Sequence, residues 1–569
     1  MVATAHPLAT EAGLRMLAQG GSAVDAVIAA QLVLGLVEPQ SSGLGGGLLM
    51  LHWDEASKRL IVIDGLAAAP GRTTASLRTD VDGRLLPSEP SQRGGRSVGV
   101  PGALPALMLA HQQHGRLSWR ELVRPAVEWA ERGFPMPPYL HAVLAPATAT
   151  AELRAAFGLY FDPEGRPLPV GSTLRHLAYA NTMRAIGDQG PQAWLARRGT
   201  SGLLEAAGQG FRPSLMTAED IGAYRAVIRE PLCAPFRAYR VCSAPPPSFG
   251  GLAVLQILQT VQAFQTSGPL DFSDPGFLHL FAEAGKLAQA DRRLHVGDPD
   301  HVRVPTLELV SQAYVRGRAQ QINLDRAMPE PAAGRPSGLL PTPAPRSEKP
   351  ADQAWVAGAQ ACPADGCASG VTSGLAQWVP DDAPTFAQTS QIAVADRQGN
   401  VVSVTTTNNL NFGARLAFDG VVLNNAMTNF SAAPRPGQAL ANQMAPAKRP
   451  VTSMAPTIAF DAQGRPVLAG GSAGGGPIVD YVAGSLMDML ANGRTPAQAV
   501  TRPHVTTATP GVLQLERGRG LEEQAARLQA QGHAVELVSL PSGQAYIRRV
   551  ANGWLGAADP RRDGLASSR

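Results

Sequence analysis

The sequence predicts a layered α+β or α/β protein, with helices packed on sheets. Three observations predict it. Short runs with period-two alternation, such as SQIAVAD and VVSVTTT around the turn Arg397-Gln398-Gly399-Asn400, read as paired strands. Runs with helical periodicity, among them WRELVRPAVEWAERG and LAVLQILQTVQAF, alternate with further strand candidates. The chain of 569 residues is 44% hydrophobic and 17% charged. That is core material for roughly two to four domains, or for one large interlocked unit.

Taken in order, ATEAGLRMLAQGG is a helix ended by Gly20-Gly21, and a second helix follows over Ala23 to Val37. This second run, AVDAVIAAQLVLGLV, carries Asp25 and Gln31 and stops at Glu38-Pro39. It is too short to span a bilayer, so a buried helix is expected. LLMLHWDEASKRLIVIDG reads as strand, turn and strand, with LIVID apolar enough to be central. TLRHLAYANTMRAIGDQG and PGFLHLFAEAGKLAQADRRLHVGDP are helical. From Pro329 to Pro384 there are ten prolines among many Ala, Gly and Ser. Such a stretch assembles no packed core and is expected to be extended or disordered. Order then returns abruptly. VVLNN, PTIAFD, PVLAG, GVLQLERG and AYIRRV/GWLGA supply strands, and PIVDYVAGSLMDML and EEQAARLQAQG supply helices, with no internal repeat.

The net charge of +4 and pI near 9.0 are mild and evenly spread. No basic stripe interleaved with aromatics accompanies them, so neither nucleic acid nor a membrane is expected as a partner. MVATAHPLATEAG lacks the basic and apolar regions of a secretory signal. A cytoplasmic location is expected if Met1 is the native start, and a periplasmic or secreted one if a signal was removed. The four cysteines form two local pairs, Cys233/Cys242 and Cys362/Cys367. Disulfides fit both spacings, the first in a hairpin with facing strands. Free thiols are the default expectation for a chain without a visible export signal. The spacing does not match a zinc site, and no metal or cofactor is expected.

The loose run ends directly against Thr389, the first residue of an alternating strand. A threonine at a strand start is ordinary. Its hydroxyl becomes a good nucleophile only beside a base, and one solution is to make the threonine N-terminal so that its own α-amine takes the proton. That amine has an ordinary pKa of roughly 7.7–8.0, suited to a base near neutrality. Generating it inside a chain requires cleavage before it, between Gln388 and Thr389.

The block T389-S-Q-I-A-V-A-D396, with G399-N-V-V-S-V-T-T-T-N-N409 and F412-G413 after it, resembles the γ-glutamyltransferase (γ-glutamyltranspeptidase) family of N-terminal-nucleophile hydrolases. The likeness extends over nearly the whole chain, through GGSAVDAVIAA, GLGGGLLML, GVPGALPAL, APPPSFGG, VGDPDHV, NNAMTNFS, KRPVTSMAPTI, GGSAGGGP and ADPRRDGL. The resemblance implies a four-layer αββα sandwich built from two processed subunits: a large one of residues 1–388, with its loose segment 329–388, and a small catalytic one of residues 389–569, associated as a heterodimer. It implies Thr389 as nucleophile of self-cleavage after Gln388 and of catalysis, with Thr407 placing a second hydroxyl beside it. Gly474 and Gly475 in SAGGGP match the glycine pair whose N–H groups form the oxyanion hole. Asn409 matches an asparagine that contacts the acyl substrate. Thr452 and Ser453 stand where the family has two serines that hold a substrate carboxylate. GLGGGL at Gly43 to Leu48 lacks GxGxxG spacing and is not a nucleotide loop.

Three departures bear on the substrate. The family's D-x-R-E-x-A-P, whose arginine clamps the α-carboxylate of a γ-glutamyl group, reads Asp64-Gly65-Leu66-Ala67-Ala68-Ala69-Pro70 here. Leu66 forms no ion pair, and Arg72 lies six residues away. The family's L-N-N-[QE]-M-D-D-F-S, which holds the α-ammonium, reads Leu423-Asn424-Asn425-Ala426-Met427-Thr428-Asn429-Phe430-Ser431. The stretch SAAPRPGQALANQMAPAKRP is short for a lid and lacks a lid tyrosine. The expected activity is therefore hydrolysis of glutaryl or similar side-chain amides of small molecules, resembling cephalosporin acylases. The alternatives are a conventional γ-glutamyltransferase or glutathione hydrolase, and a non-catalytic binding member.

Overall fold

The computed structural model describes residues 1–74, 86, 92–145, 151–209, 212–336, 342–343, 377–378, 388–431 and 438–568. Most of the proline-rich segment, the Cys362/Cys367 pair and the middle of the shortened lid loop lie outside these residues.

The strands that build the sandwich are β1 (Val2–Thr4), β2 (Gly47–Asp54), β3 (Arg59–Gly65), β4 (Val227–Arg229), β5 (Leu232–Phe236) and β6 (Tyr239–Ser243). They continue with β7 (Gln388–Ala395), β8 (Val401–Asn409), β9 (Thr457–Phe460), β10 (Pro466–Ala473), β11 (Gly543–Val550), β12 (Gly553–Ala558) and β13 (Leu565–Ser567). The first sheet has the order β13-β1-β7-β8-β2-β3-β4 and the second β12-β11-β10-β9-β6-β5. Every pairing in both is antiparallel. The first sheet interleaves strands from the two ends of the chain, since β1 lies between β13 and β7.

Alternation along β2 explains the layering. Leu49, Leu51 and Trp53 enter the core between the sheets with Ile458, Phe460 and Ile547, while Leu48 and Met50 face the helices on the other side. The outer face of the first sheet is covered by α1 (Pro7–Ala18) and α2 (Ala23–Val37), and α3 (Trp119–Arg132) packs on α2. The second sheet carries α4 (Phe249–Phe264), with α5 (Pro275–His295) packed on α4, and α6 (Ile478–Leu486). The result is the four-layer αββα arrangement. Helix α2 starts at a capping box, with Ser22 accepting from Asp25 N–H, and all of its residues are buried. Among the described residues no helix is long and apolar enough to cross a membrane.

The sheets approach closely near the start of β7. Ser403 Oγ donates to the Gly470 carbonyl at 2.8 Å, and a Cβ on Gly471 would lie 2.6 Å from Gln391 Oε1. Bulk at Gly471 would separate the layers where polar groups link them.

LIVID lies in β3, paired by β2 on one side and β4 on the other, an interior strand as expected. Two expectations are corrected. VVLNN yields only Val421–Val422, since Asn424 Oδ1 accepts from Gly99 N–H and Ala426 N–H and turns the chain into a 3-10 segment at Ala426–Asn429. Cys233 and Cys242 form a disulfide instead of free thiols: they face each other directly across β5 and β6, with Cα atoms 4.1 Å apart.

Candidate active site

Thr389 is the second residue of β7, is 3% exposed, and sits in an interruption of the β7–β8 register between Gln388 and Ser390. A bulge of this kind re-aims a side chain out of the regular ladder. On β8, Thr407 Oγ1 donates to the carbonyl of Gln388 and accepts the Asn409 N–H at 2.7 Å. Its one proton is thereby directed at the carbonyl of the Gln388–Thr389 peptide. A donor there stabilises negative charge developing on that oxygen.

Each residue around this bond has its own anchor. Tyr139 Oη donates to Gln388 Oε1 at 3.1 Å, and Arg562 Nη1 donates to the Thr389 carbonyl at 2.9 Å. The Arg562 guanidinium stacks on the Tyr139 ring at 4.5 Å. Ser390 Oγ donates to Glu38 Oε2 at 2.6 Å, and Ser42 Oγ donates to Ser390 at 3.1 Å. Burial pushes the Glu38 carboxyl up to about 7, against the pull of Arg562 and Ser390 and with the push of Asp563. Sequence reasoning singled out none of Glu38, Tyr139, Ser390 or Arg562. The only signals were that EPQSS closes α2 and that Arg562 lies in the ADPRRDGL match.

The SAGGGP turn joins β10 to α6. Gly474 has φ +134° and Gly475 φ +66°, both outside what side-chain-bearing residues readily adopt. A Cβ on Gly474 would also lie 2.7 Å from the Tyr481 ring. Ser453 Oγ donates to the Gly475 carbonyl at 2.6 Å, so its proton supports this turn. Thr452 Oγ1 accepts the Met454 N–H at 3.3 Å and keeps its own proton.

Beside Thr407 opens a pocket of about 320 Å³, lined among others by Leu66, Asn409, Ala426, Asn429 and Thr452. No charged side chain is among its described lining residues. Asn409, with φ +80°, donates through Nδ2 to the Asn425 carbonyl, Asn425 Oδ1 and Thr428 Oγ1 at 2.9–3.2 Å. Asn429 Oδ1 is buried without a hydrogen-bond partner. The arginines behind the wall are committed elsewhere. Arg229 pairs with Asp64 at 2.7 Å, and Arg449 lies 3.6 Å from Asp64 while its N–H is held by Asp298. Arg72 is exposed, acts on Glu219, and does not line the pocket. The structure thus brings Thr407, Asn409, Asn429 and Thr452 to one cavity, and Ser453 to the glycine turn behind it.

One other cluster has ligand-type side chains. His279, Glu283 and His533 bring their donor atoms within 4.8 Å of one another. Their facing atoms are held within the protein: His279 Nδ1 and His533 Nε2 share a hydrogen bond at 2.7 Å, and Lys286 Nζ and Met328 N–H hold the two Glu283 oxygens, while His533 Nδ1 is buried without a partner. The Lys286 ammonium already supplies the positive charge.

Residues 9–568 match the family model for gamma-glutamyltranspeptidase. The chain is 34% identical to a glutathione hydrolase proenzyme of Bacillus subtilis, over 100% of this chain and 91% of the relative. It is also 34% identical to the acylase ACY 1 proenzyme of a Pseudomonas species, over 99% and 92%. Among solved structures, cephalosporin acylase from Bacillus halodurans superposes with a TM-score of 0.81 at 26% identity, covering 100% of this chain and 95% of that one. A fold shared over both whole lengths and a family match spanning both sheets lead to one conclusion: the chain belongs to the gamma-glutamyltranspeptidase family of N-terminal-nucleophile hydrolases and is an amide hydrolase or acyltransferase.

Proposed function

We propose that the chain is a self-processing N-terminal-threonine amidohydrolase that prefers glutaryl-type side-chain amides. In processing, Thr389 Oγ attacks the Gln388 carbonyl carbon while the Thr407 hydroxyl holds its oxygen. The C–N bond breaks, the hydroxyl proton ends on the departing nitrogen, and the resulting ester is hydrolysed by water. This leaves a large subunit of residues 1–388 and a small one of residues 389–569, associated as a heterodimer. In turnover the freed α-amine takes the Thr389 hydroxyl proton, and Thr389 attacks the substrate amide. The Gly474 and Gly475 N–H groups receive the oxyanion, the amine leaves, and water releases the acid. Asn409 and Thr452 hold the acyl group from the pocket wall.

The observation that supports the preference is the absence of an acidic side chain beside Thr407, with Ala426 and Asn429 where the resemblance implied an ammonium clamp; a glutaryl group keeps the carboxylate of a γ-glutamyl group and lacks only its α-ammonium. Relatives named for both activities are equally similar, at 34% identity, so the support for the finer reading comes from the pocket. A buried, unpaired Asn429 Oδ1 favours a second reading, a γ-glutamyl enzyme that binds the ammonium through a neutral acceptor. Hydrolysis of glutaryl and γ-glutamyl p-nitroanilides by fully cleaved protein separates the two. The expected outcome is a clear glutaryl preference, moved toward γ-glutamyl by about tenfold or more in Asn429→Asp. That corresponds to roughly 1.5–3 kcal/mol for a restored charge-assisted contact. A γ-glutamyl preference in the unaltered protein sinks the acylase reading.

A further inference from the structure

Four residues distant in sequence converge on the three around the cleavage bond. Of these, Glu38 stands out chemically. It is 1% exposed at the end of α2, Oε2 receives the Ser390 hydroxyl, and Oε1 is buried with no hydrogen-bond partner. The cation that acts on it is Arg562, whose Nε is also buried without a partner and whose Nη1 holds the Thr389 carbonyl. One carboxylate therefore acts in two ways on the backbone just after the nucleophile, directly through Ser390 and electrostatically through the arginine that holds the Thr389 carbonyl. A fully apolar seal would have needed no acid here, since an unpaired buried charge opposes folding.

We propose that Glu38 is a positioning residue for self-cleavage, holding Ser390 and Arg562 so that Thr389 is presented to the Gln388 carbonyl, and that its ionisation gates the reaction. This rests on Thr389 being the nucleophile. The ionised carboxylate accepts the Ser390 proton and attracts Arg562; the protonated acid weakens both. Burial places this change near neutrality. The groups facing Glu38 are Ser390 from β7, Ser42 with Gln31 behind it, and Arg562 and Asp563 from the C-terminal segment. Before cleavage Thr389 has no free amine, so a step near neutral pH in the first cleavage does not come from it.

The test follows fragment appearance in freshly synthesised full-length chain from pH 5.5 to 8.5 (roughly one and a half units either side of the expected midpoint). In the unaltered chain cleavage accelerates with a midpoint near pH 7. Glu38→Gln cleaves about tenfold more slowly at pH 8 and loses the step, and Ser390→Ala cleaves more slowly with the midpoint displaced upward. The proposal is overturned if Glu38→Gln cleaves at the unaltered rate, or is slowed but keeps the same step. Ser390→Ala with an unaltered rate and midpoint overturns it too, which covers the case where Glu38→Gln does not fold. Thr389→Ala is the separate control: its cleavage would remove the underlying reading, whereas its arrest beside normal Glu38→Gln removes only the role of Glu38.

Discussion

A carboxylic acid sealed at the end of α2 is at home as the neutral acid, and its ionisation works against the fold. The Glu38 carboxyl is raised to about 7 by burial. For a group whose folded pKa exceeds its unfolded one, the contribution to stability is present at acidic pH and is lost as pH rises through the folded value. Between the ordinary glutamate value and 7 this amounts to about 3 kcal/mol. Glu38→Gln is accordingly expected to raise the melting temperature relative to the unaltered chain at pH 8, with little difference at pH 4.5 (about the ordinary glutamate value). Thermal unfolding of the two proteins at both pH values measures this. Stability and processing should thus move in opposite directions at one residue. The residues a motif could point to, Thr389, Thr407, Asn409 and Gly474, lie in continuous stretches, so the sequence alone could propose them. Glu38 and Arg562 were not, because their partners lie more than 170 residues away in sequence and only the closed sandwich brings them together.

At the scale of elements, the turn from β10 into α6 combines two demands that only glycine meets. Gly474 has positive φ, and Tyr481 occupies the space a Cβ would take. Gly474→Ala is expected to strain the turn by roughly 1–3 kcal/mol. A displaced N–H donor also lowers kcat by about a hundredfold with a smaller change in KM. Steady-state kinetics on the cleaved variant, with its melting temperature, separates the two effects. Alternation and helical periodicity predicted the strands and helices of both layers well, since nearly every one buries a regular face. Reading failed where side chains compete with the ladder. Asn424 diverts VVLNN into a turn. The disulfide was missed for another reason: the default about compartment outweighed a hairpin register that places Cys233 opposite Cys242.

For the whole molecule, the strand order decides how two subunits would behave. Cleavage before Thr389 leaves β13, β7 and β8 on one polypeptide, with β1 of the other inserted between β13 and β7. In the second sheet β9, from the small subunit, pairs with β6 of the large one. Neither piece keeps a complete sheet, so unfolding is expected as one cooperative transition followed at least by calorimetry. Thr389→Ala, kept as one chain, should recover native fluorescence after dilution from denaturant, whereas the cleaved protein should recover little and in a concentration-dependent way. The order of those strands therefore has a consequence in time. A one-chain search, in which β1 is tethered to its neighbours, becomes after cleavage an encounter between two strangers whose threading has no independent partner to template it. The cleaved enzyme is then expected to hold a shape that it does not readily find again, with a working life set by how slowly it first opens.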